Sequence, residues 1–212
     1  MVVLLPMNEA LVNSLQNESL ENRVFHAARE LFYHKGYYAT STREIALKAG
    51  TSETGVFRKY PSKYDLLMAV YNDAWGVFNK ALGSSSLDDP RREIIRIFTL
   101  LSKLYKTDPL TIAFMLINTG NTDTLLIERK DQAIISEENI KYIERVRNLC
   151  KNAVTRRLVA RVYSVNSLTE TILGIYEGTL LGWYLADHTK CYPERVTVGE
   201  MVRALGHILS LK

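Results

Sequence analysis

Residues 40–63, TSTREIALKAGTSETGVFRKYPSK, leave this chain few ways to fold, because they spell two short capped helices around a tight turn. Ser41-x-x-Glu44 is a capping box: the serine hydroxyl takes the amide three residues on, and the glutamate returns to the serine amide. Ile45, Ala46 and Ala49 make the inward side of this helix, small enough for a second helix to cross closely. Gly50 suits the left-handed position that ends such a helix. Ser52 then caps a second helix, from about Glu53 to Lys59, with Val56, Phe57 and Tyr60 facing inward. Two short helices joined by a glycine-containing turn make a helix-turn-helix, the unit that sets its second helix in the major groove of DNA. Charge agrees: residues 21–63 hold eight Lys or Arg against four Asp or Glu, a net of +4, and the whole chain is also +4. Double-stranded DNA is the expected partner.

From Val24 to Leu67 the same region resembles the N-terminal domain of the tetracycline-repressor (TetR) family of bacterial transcriptional regulators. Its landmarks are Ala27-Ala28, Leu31-Phe32, Lys35-Gly36-Tyr37, Thr40-Ser41, Arg43-Glu44-Ile45-Ala46 and Ala49-Gly50. After the turn come Ser52, Val56-Phe57, Tyr60, Ser62-Lys63 and Leu66-Leu67. Two positions depart from the family pattern. Phe57 stands where a tyrosine is frequent, its hydroxyl usually reaching a phosphate; Thr54 stands where glycine is usual, with Gly55 one place later. Arg43, Lys59 and Lys63 are expected at phosphates, with Ser41 adding a hydroxyl contact. Thr54, Gly55 and Arg58 are expected to face base edges, since Arg58 follows Thr54 by one turn on the side opposite Val56 and Tyr60.

The rest of the chain reads as helix throughout. Its five prolines, Pro6, Pro61, Pro90, Pro109 and Pro193, all fall outside periodic apolar segments. An interior proline would cost a helix about 3 kcal/mol. About nine helices and an all-α fold are expected: 21–35, the two of the helix-turn-helix, 62–82, 91–107, 108–119, 131–162, 167–187 and 194–211. Residues 123–130 read as either a short helix or a loop. Ser167-x-x-Glu170 and Thr197-x-x-Glu200 are two further capping boxes. With the resemblance, the expected organisation is an N-terminal extension over 1–20, a DNA-binding domain over 21–66, and an effector-binding and dimerisation domain over 67–212.

A second motif, Gly174-x3-Gly178-x3-Gly182, places three glycines almost above one another on a helix. Interior glycine costs about 1 kcal/mol relative to alanine, so such a strip calls for a packing reason. It serves either close packing inside the subunit or contact with a second copy. The resemblance favours the second, because family members pair their last two helices into a four-helix dimer bundle. Between the two motifs, Trp75, Phe78, Phe98, Leu101, Tyr105 and Phe114 are expected to wall a cavity for a small, mostly apolar effector, with Asn118 orienting it. Apolar walls with few polar groups describe ligand sites, and they describe an ordinary helical core equally well.

No run of about 18 uncharged apolar residues occurs, so no membrane helix is expected. The opening MVVLLP is too short for a signal-peptide core and lacks preceding basic residues. Cys150 and Cys191 have no framework spacing, which suits the reducing cytoplasm. His188 and Cys191 could begin a metal site, but two more tetrahedral ligands have no source, so no metal is expected. Phosphate-loop, HExxH, GxSxG and GxGxxG patterns are missing, as is a paired Glu-x-x-His, so neither an enzyme nor a cofactor is expected. These observations point to a ligand-responsive transcriptional regulator: a repressor that binds a palindromic operator as a homodimer and is released by a small molecule. The alternative is a helical binding module or non-specific DNA-packaging protein without effector control.

Overall fold

The computed structural model describes residues 18–84, 89–116, 137–159, 161–188 and 197–209. Nine helices and no strand occur among the described residues. They are α1 (Leu20–Lys35), α2 (Thr42–Lys48), α3 (Glu53–Lys59), α4 (Lys63–Leu82), α5 (Pro90–Thr107), α6 (Pro109–Met115), α7 (Glu137–Thr155), α8 (Val165–His188) and α9 (Val198–Leu209). The fold is all-α. The described residues divide into two compact units, one up to Val70 and one from Tyr71, and α4 runs through the division.

In the first unit, Ser19 caps α1 by accepting the Asn22 amide at 3.2 Å. Val24, Ala27, Ala28 and Phe32 form the buried stripe of α1, at the 3.6-residue spacing that marks an amphipathic helix. Gly36 ends it at φ 82°, a backbone position that a side chain would strain. The buried Thr40 hydroxyl donates to the Gly36 carbonyl at 2.8 Å and closes the loop before α2. Leu66, Leu67 and Val70 bring the first turns of α4 into this core.

In the second unit, Asp89 accepts the amides of Arg91 at 3.1 Å and Arg92 at 3.3 Å, with Pro90 at the first helical position of α5. Proline is tolerated there because its missing N–H would have no helical partner. Ile94, Ile97, Phe98, Leu101 and Tyr105 follow one buried face of α5. The Tyr176 hydroxyl on α8 donates to the Ile94 carbonyl at 2.6 Å. A charged cluster lies in the same core. Glu93, its side chain 6% exposed, receives Arg96 at 2.6 Å and Arg145 at 3.1 Å. Arg96 also donates to the Leu82 carbonyl at 2.8 Å, and Arg145 to the Gly83 carbonyl at 2.7 Å. Two cations thus satisfy carbonyls at the C-terminal end of α4, where helix geometry leaves them unpaired and the dipole favours positive charge.

Three helix boundaries differ from the sequence expectation. The long helix expected to reach residue 162 stops at Thr155, because Arg157 adopts φ 55°. Leu158 N–H then bonds the Ala153 carbonyl at 2.9 Å and Arg157 N–H that of Val154 at 3.0 Å. This is a Schellman stop made without glycine. Helix α8 begins at Val165 rather than 167, since Ser164 is the cap and accepts the Ser167 amide at 3.1 Å. Helix α9 begins at Val198 rather than 194, after Thr197, whose hydroxyl accepts the Glu200 amide at 3.2 Å while Glu200 accepts the Thr197 amide at 2.7 Å. Residues 123–130 lie outside the described residues, as does the expected end of the helix over 108–119.

Candidate nucleic-acid interface

Helix α2 opens with the expected capping box. Ser41 Oγ accepts the Glu44 amide at 3.2 Å, and the Glu44 carboxylate accepts both the Ser41 amide and hydroxyl at 3.0 Å. Lys35 also donates to Glu44; that bond first, then those from Ser41, holds the carboxyl down at about 2. The helix ends at Gly50, φ 64°. Thr51 N–H reaches back to the Ala46 carbonyl at 2.9 Å, and Gly50 N–H to that of Leu47 at 3.2 Å, a second Schellman stop. Ser52 caps α3 by accepting the Gly55 amide at 3.1 Å. Across the turn, the Thr42 hydroxyl donates to Glu53 at 2.6 Å and ties the two helix starts together. Tyr60 is extended at the end of α3, as a residue before proline prefers to be. Ser62 then caps α4, accepting the Asp65 amide at 3.0 Å.

These contacts set which side of α3 faces outward. Ile45, Ala46, Ala49 and Val56 are buried, as expected. Glu53, Thr54, Phe57 and Arg58 form the exposed face. Two expectations are corrected here. Phe57, expected to point inward, is 43% exposed, because it lies one turn after Glu53 and Thr54 on the outer side. Gly55, expected at a base edge, is buried; a Cβ there would stand 2.3 Å from Thr51 Oγ1. Its small size serves packing against the turn.

The basic side chains separate into two sets. Lys35 pairs with Glu44, Lys48 with Glu30 at 2.8 Å, and Lys59 with Glu21 at 3.3 Å. Lys63, expected at a phosphate, is turned back into its own unit: its ammonium donates to the carbonyls of Tyr37 and Thr40, each at 2.9 Å, and lies 4.3 Å from the centre of the Tyr37 ring. Burial pushes its pKa below the usual lysine range. Arg43 and Arg58, by contrast, are exposed and have no hydrogen-bond or ion-pair partner among the described residues. Ser41 is exposed, its hydroxyl engaged with Glu44.

The role of Lys63 gives a test. Lys63→Ala removes the donor of two backbone carbonyls and is expected to lower unfolding free energy by about 1.5 kcal/mol, the low end for charge-assisted bonds because the site is partly exposed. A reduced urea midpoint at unchanged slope is the readout. An unchanged midpoint with weakened DNA binding would return Lys63 to a phosphate.

In the second unit the expected effector residues Trp75, Phe78, Phe98, Leu101, Tyr105 and Phe114 are all buried. Trp75, Phe78, Phe98 and Tyr105 form ring clusters with partners from later helices that the sequence pattern does not single out. Tyr142 on α7 lies 5.1 Å from Trp75 and 5.4 Å from Phe78, centre to centre. Trp183 on α8 lies 5.9 Å from Phe98 and 5.4 Å from Tyr105, while Tyr176 stacks on Phe98 at 5.8 Å. The Tyr105 hydroxyl donates to Asp187. Trp75 Nε1 is buried without a hydrogen-bond acceptor among the described residues. Asn118 lies outside the described residues. A groove of about 580 Å³ runs along α7 from Lys141 to Thr155, and none of the expected effector residues lines it.

On α8, Gly174 and Gly178 are exposed, and an added Cβ would meet no heavy atom within 4 Å. Close packing of these two positions inside the subunit is thereby excluded among the described residues. Gly182 is half-buried. Cys150 is buried, its thiol pushed up to about 11 by that burial. No group of three metal-binding side chains occurs among the described residues; Cys191 lies outside them. No described helix is long and apolar enough to cross a membrane.

Residues 24–70 match the family described as bacterial regulatory proteins, tetR family. Over 48 residues the chain is 46% identical to the uncharacterized HTH-type transcriptional regulator YvkB of Bacillus subtilis (strain 168), a stretch that is 23% of this chain and 25% of YvkB. The match thus spans a quarter of that relative's length. The whole fold is similar to a regulatory protein in the tetR family from Rhodococcus RHA1, with TM-score 0.69 and 16% identity over 92% of this chain and 100% of that one. It is also similar to FadR from Bacillus subtilis, solved in complex with stearoyl-CoA, with TM-score 0.65 and 15% identity over 89% of this chain and 97% of that one. Residues 24–70, with their capped helix-turn-helix, thus form a domain of the tetR family of bacterial regulatory proteins, carried on an all-helical fold that solved structures of that family share.

Proposed function

We propose that this regulator is a homodimeric repressor whose residues 21–66 bind a palindromic operator and whose residues 67–212 dimerise and take up a small effector in the cytoplasm. The observation that carries the DNA reading is the pair of exposed, unpartnered guanidiniums at Arg43 and Arg58. Arg43 starts α2 and suits a phosphate, whereas Arg58 shares the outer face of α3 with Thr54 and suits a base edge. Two copies of α3 would read half-sites about 34–36 Å apart, one turn of the duplex. The open strip at Gly174 and Gly178 supports α8 as the surface that joins the copies.

The effector is a mostly apolar molecule held by the middle helices. Trp75 supports a more definite chemistry, since its buried N–H is without an acceptor among the described residues and a ligand carbonyl would satisfy it. Acyl thioesters are the first compounds to try: they combine such a carbonyl with an apolar tail, and FadR was solved with stearoyl-CoA. Effector binding acts through α4, and it can shift DNA affinity only by its preference for the non-binding state.

Arg58→Ala tests the DNA assignment. Discrimination at one position of each half-site is expected to relax by roughly 1–3 kcal/mol, with random DNA bound as before. Footprinting should show one short protected palindrome for the wild type. Equal weakening on operator and random DNA, or general coating without a footprint, would overturn the reading.

A further inference from the structure

The outer face of α3 carries one side chain that the proposed contacts leave unused. Phe57 is 43% exposed, with no ring contact among the described residues, on a face otherwise made of Glu53, Thr54 and Arg58. It follows Thr54 by three residues and directly precedes Arg58, so it belongs to the surface proposed to enter the major groove. A phenyl ring has neither donor nor acceptor. It cannot bond a phosphate, and it cannot answer the hydrogen-bonding edges of guanine, cytosine or adenine. The major groove presents one apolar group, the 5-methyl of thymine.

We propose that Phe57 is a specificity-determining residue that reads a thymine methyl in each half-site, beside the base read by Arg58. This rests on the operator-binding reading above. Glu53 does not compete for that role, because its carboxylate is engaged by the Thr42 hydroxyl at 2.6 Å. The consequence is a preference that depends on one carbon atom of the DNA.

The experiment uses the full chain and the duplex it enriches from a random library. Each thymine of the enriched sequence is replaced in turn by uracil, which removes only the methyl, and affinity is read by fluorescence anisotropy. One position per half-site should respond, weakening wild-type binding about fourfold, or about fifteenfold with both half-sites changed, the worth of one methyl group removed from water. Phe57→Ala, exposed and so not needed for folding, should bind the thymine and uracil duplexes equally. A flat uracil scan on an enriched palindrome, or an undiminished uracil penalty in Phe57→Ala, overturns this role while leaving the operator reading intact. If the library yields no enriched sequence, the operator reading fails and this inference fails with it.

Discussion

Gly178→Leu should yield monomers in sedimentation velocity and cut operator affinity by about 10²–10⁴-fold, the scale of losing a linked second contact. The reason lies in what surrounds the position. Within the subunit a Cβ at Gly178 meets no heavy atom within 4 Å, so a leucine side chain has room to stand outward. The neighbouring surface of α8 includes the half-exposed Ile175, Leu181 and Leu185. An apolar outer face on an otherwise buried helix is what a subunit contact requires. Leucine also favours helix over glycine by nearly 1 kcal/mol. The variant monomer should therefore unfold no earlier than the wild-type subunit. A dimer that persisted with a raised melting temperature would place the subunit contact elsewhere.

The second large effect is expected inside the subunit. Glu93→Ala should lower unfolding free energy by about 3 kcal/mol, the lower end for breaking a buried pair, because Arg96 is partly exposed. Glu93 and Arg145 are the buried members, 6% and 16% exposed at their side chains. Removing the carboxylate leaves Arg145 desolvated beside the end of α4, where it still holds the Gly83 carbonyl. A cycle with Arg145→Met separates this from a simple cavity. The double variant is expected to be more stable than Glu93→Ala alone, since the uncompensated charge is gone. Strict additivity in urea unfolding would reduce the cluster to two independent side chains.

The two results bear on what a sequence can express. Ser41, Glu44, Gly50, Ser52 and Thr197 act through neighbours within a few residues, so their roles were legible from order alone. Phe57 is not placed by sequence alone because α3 is only seven residues long, and Gly55, Val56 and Phe57 in succession do not define an inner face. What settled it was the Thr51 side chain, which fills the space beside Gly55. Lys63 looked like a phosphate ligand because its partners, the carbonyls of Tyr37 and Thr40, have no sequence signature. The stop at Arg157 is hidden for a similar reason: arginine rarely adopts positive φ, and the bonds to the Ala153 and Val154 carbonyls that accompany it have no sequence signature. Tyr142, Tyr176 and Trp183 sit on periodic apolar faces, but which aromatic each meets is a matter of tertiary packing.

The arrangement of lysines has a thermodynamic consequence for the search for DNA. Lys35, Lys48 and Lys59 each stand against a carboxylate of their own unit, and Lys63 against two carbonyls. A polyanion therefore meets unpaired guanidiniums rather than a broad cationic face. Each phosphate neutralised by a protein cation releases condensed counterions and steepens the log–log dependence of affinity on salt by about 0.9. On the operator-binding reading, few unpaired cations would keep that sequence-blind term small, and random duplex would hold the protein weakly at physiological ionic strength. Because competing genomic sites number about 10⁶ or more, weak residence on them would leave more of the protein free to occupy the site that the proposed base contacts select.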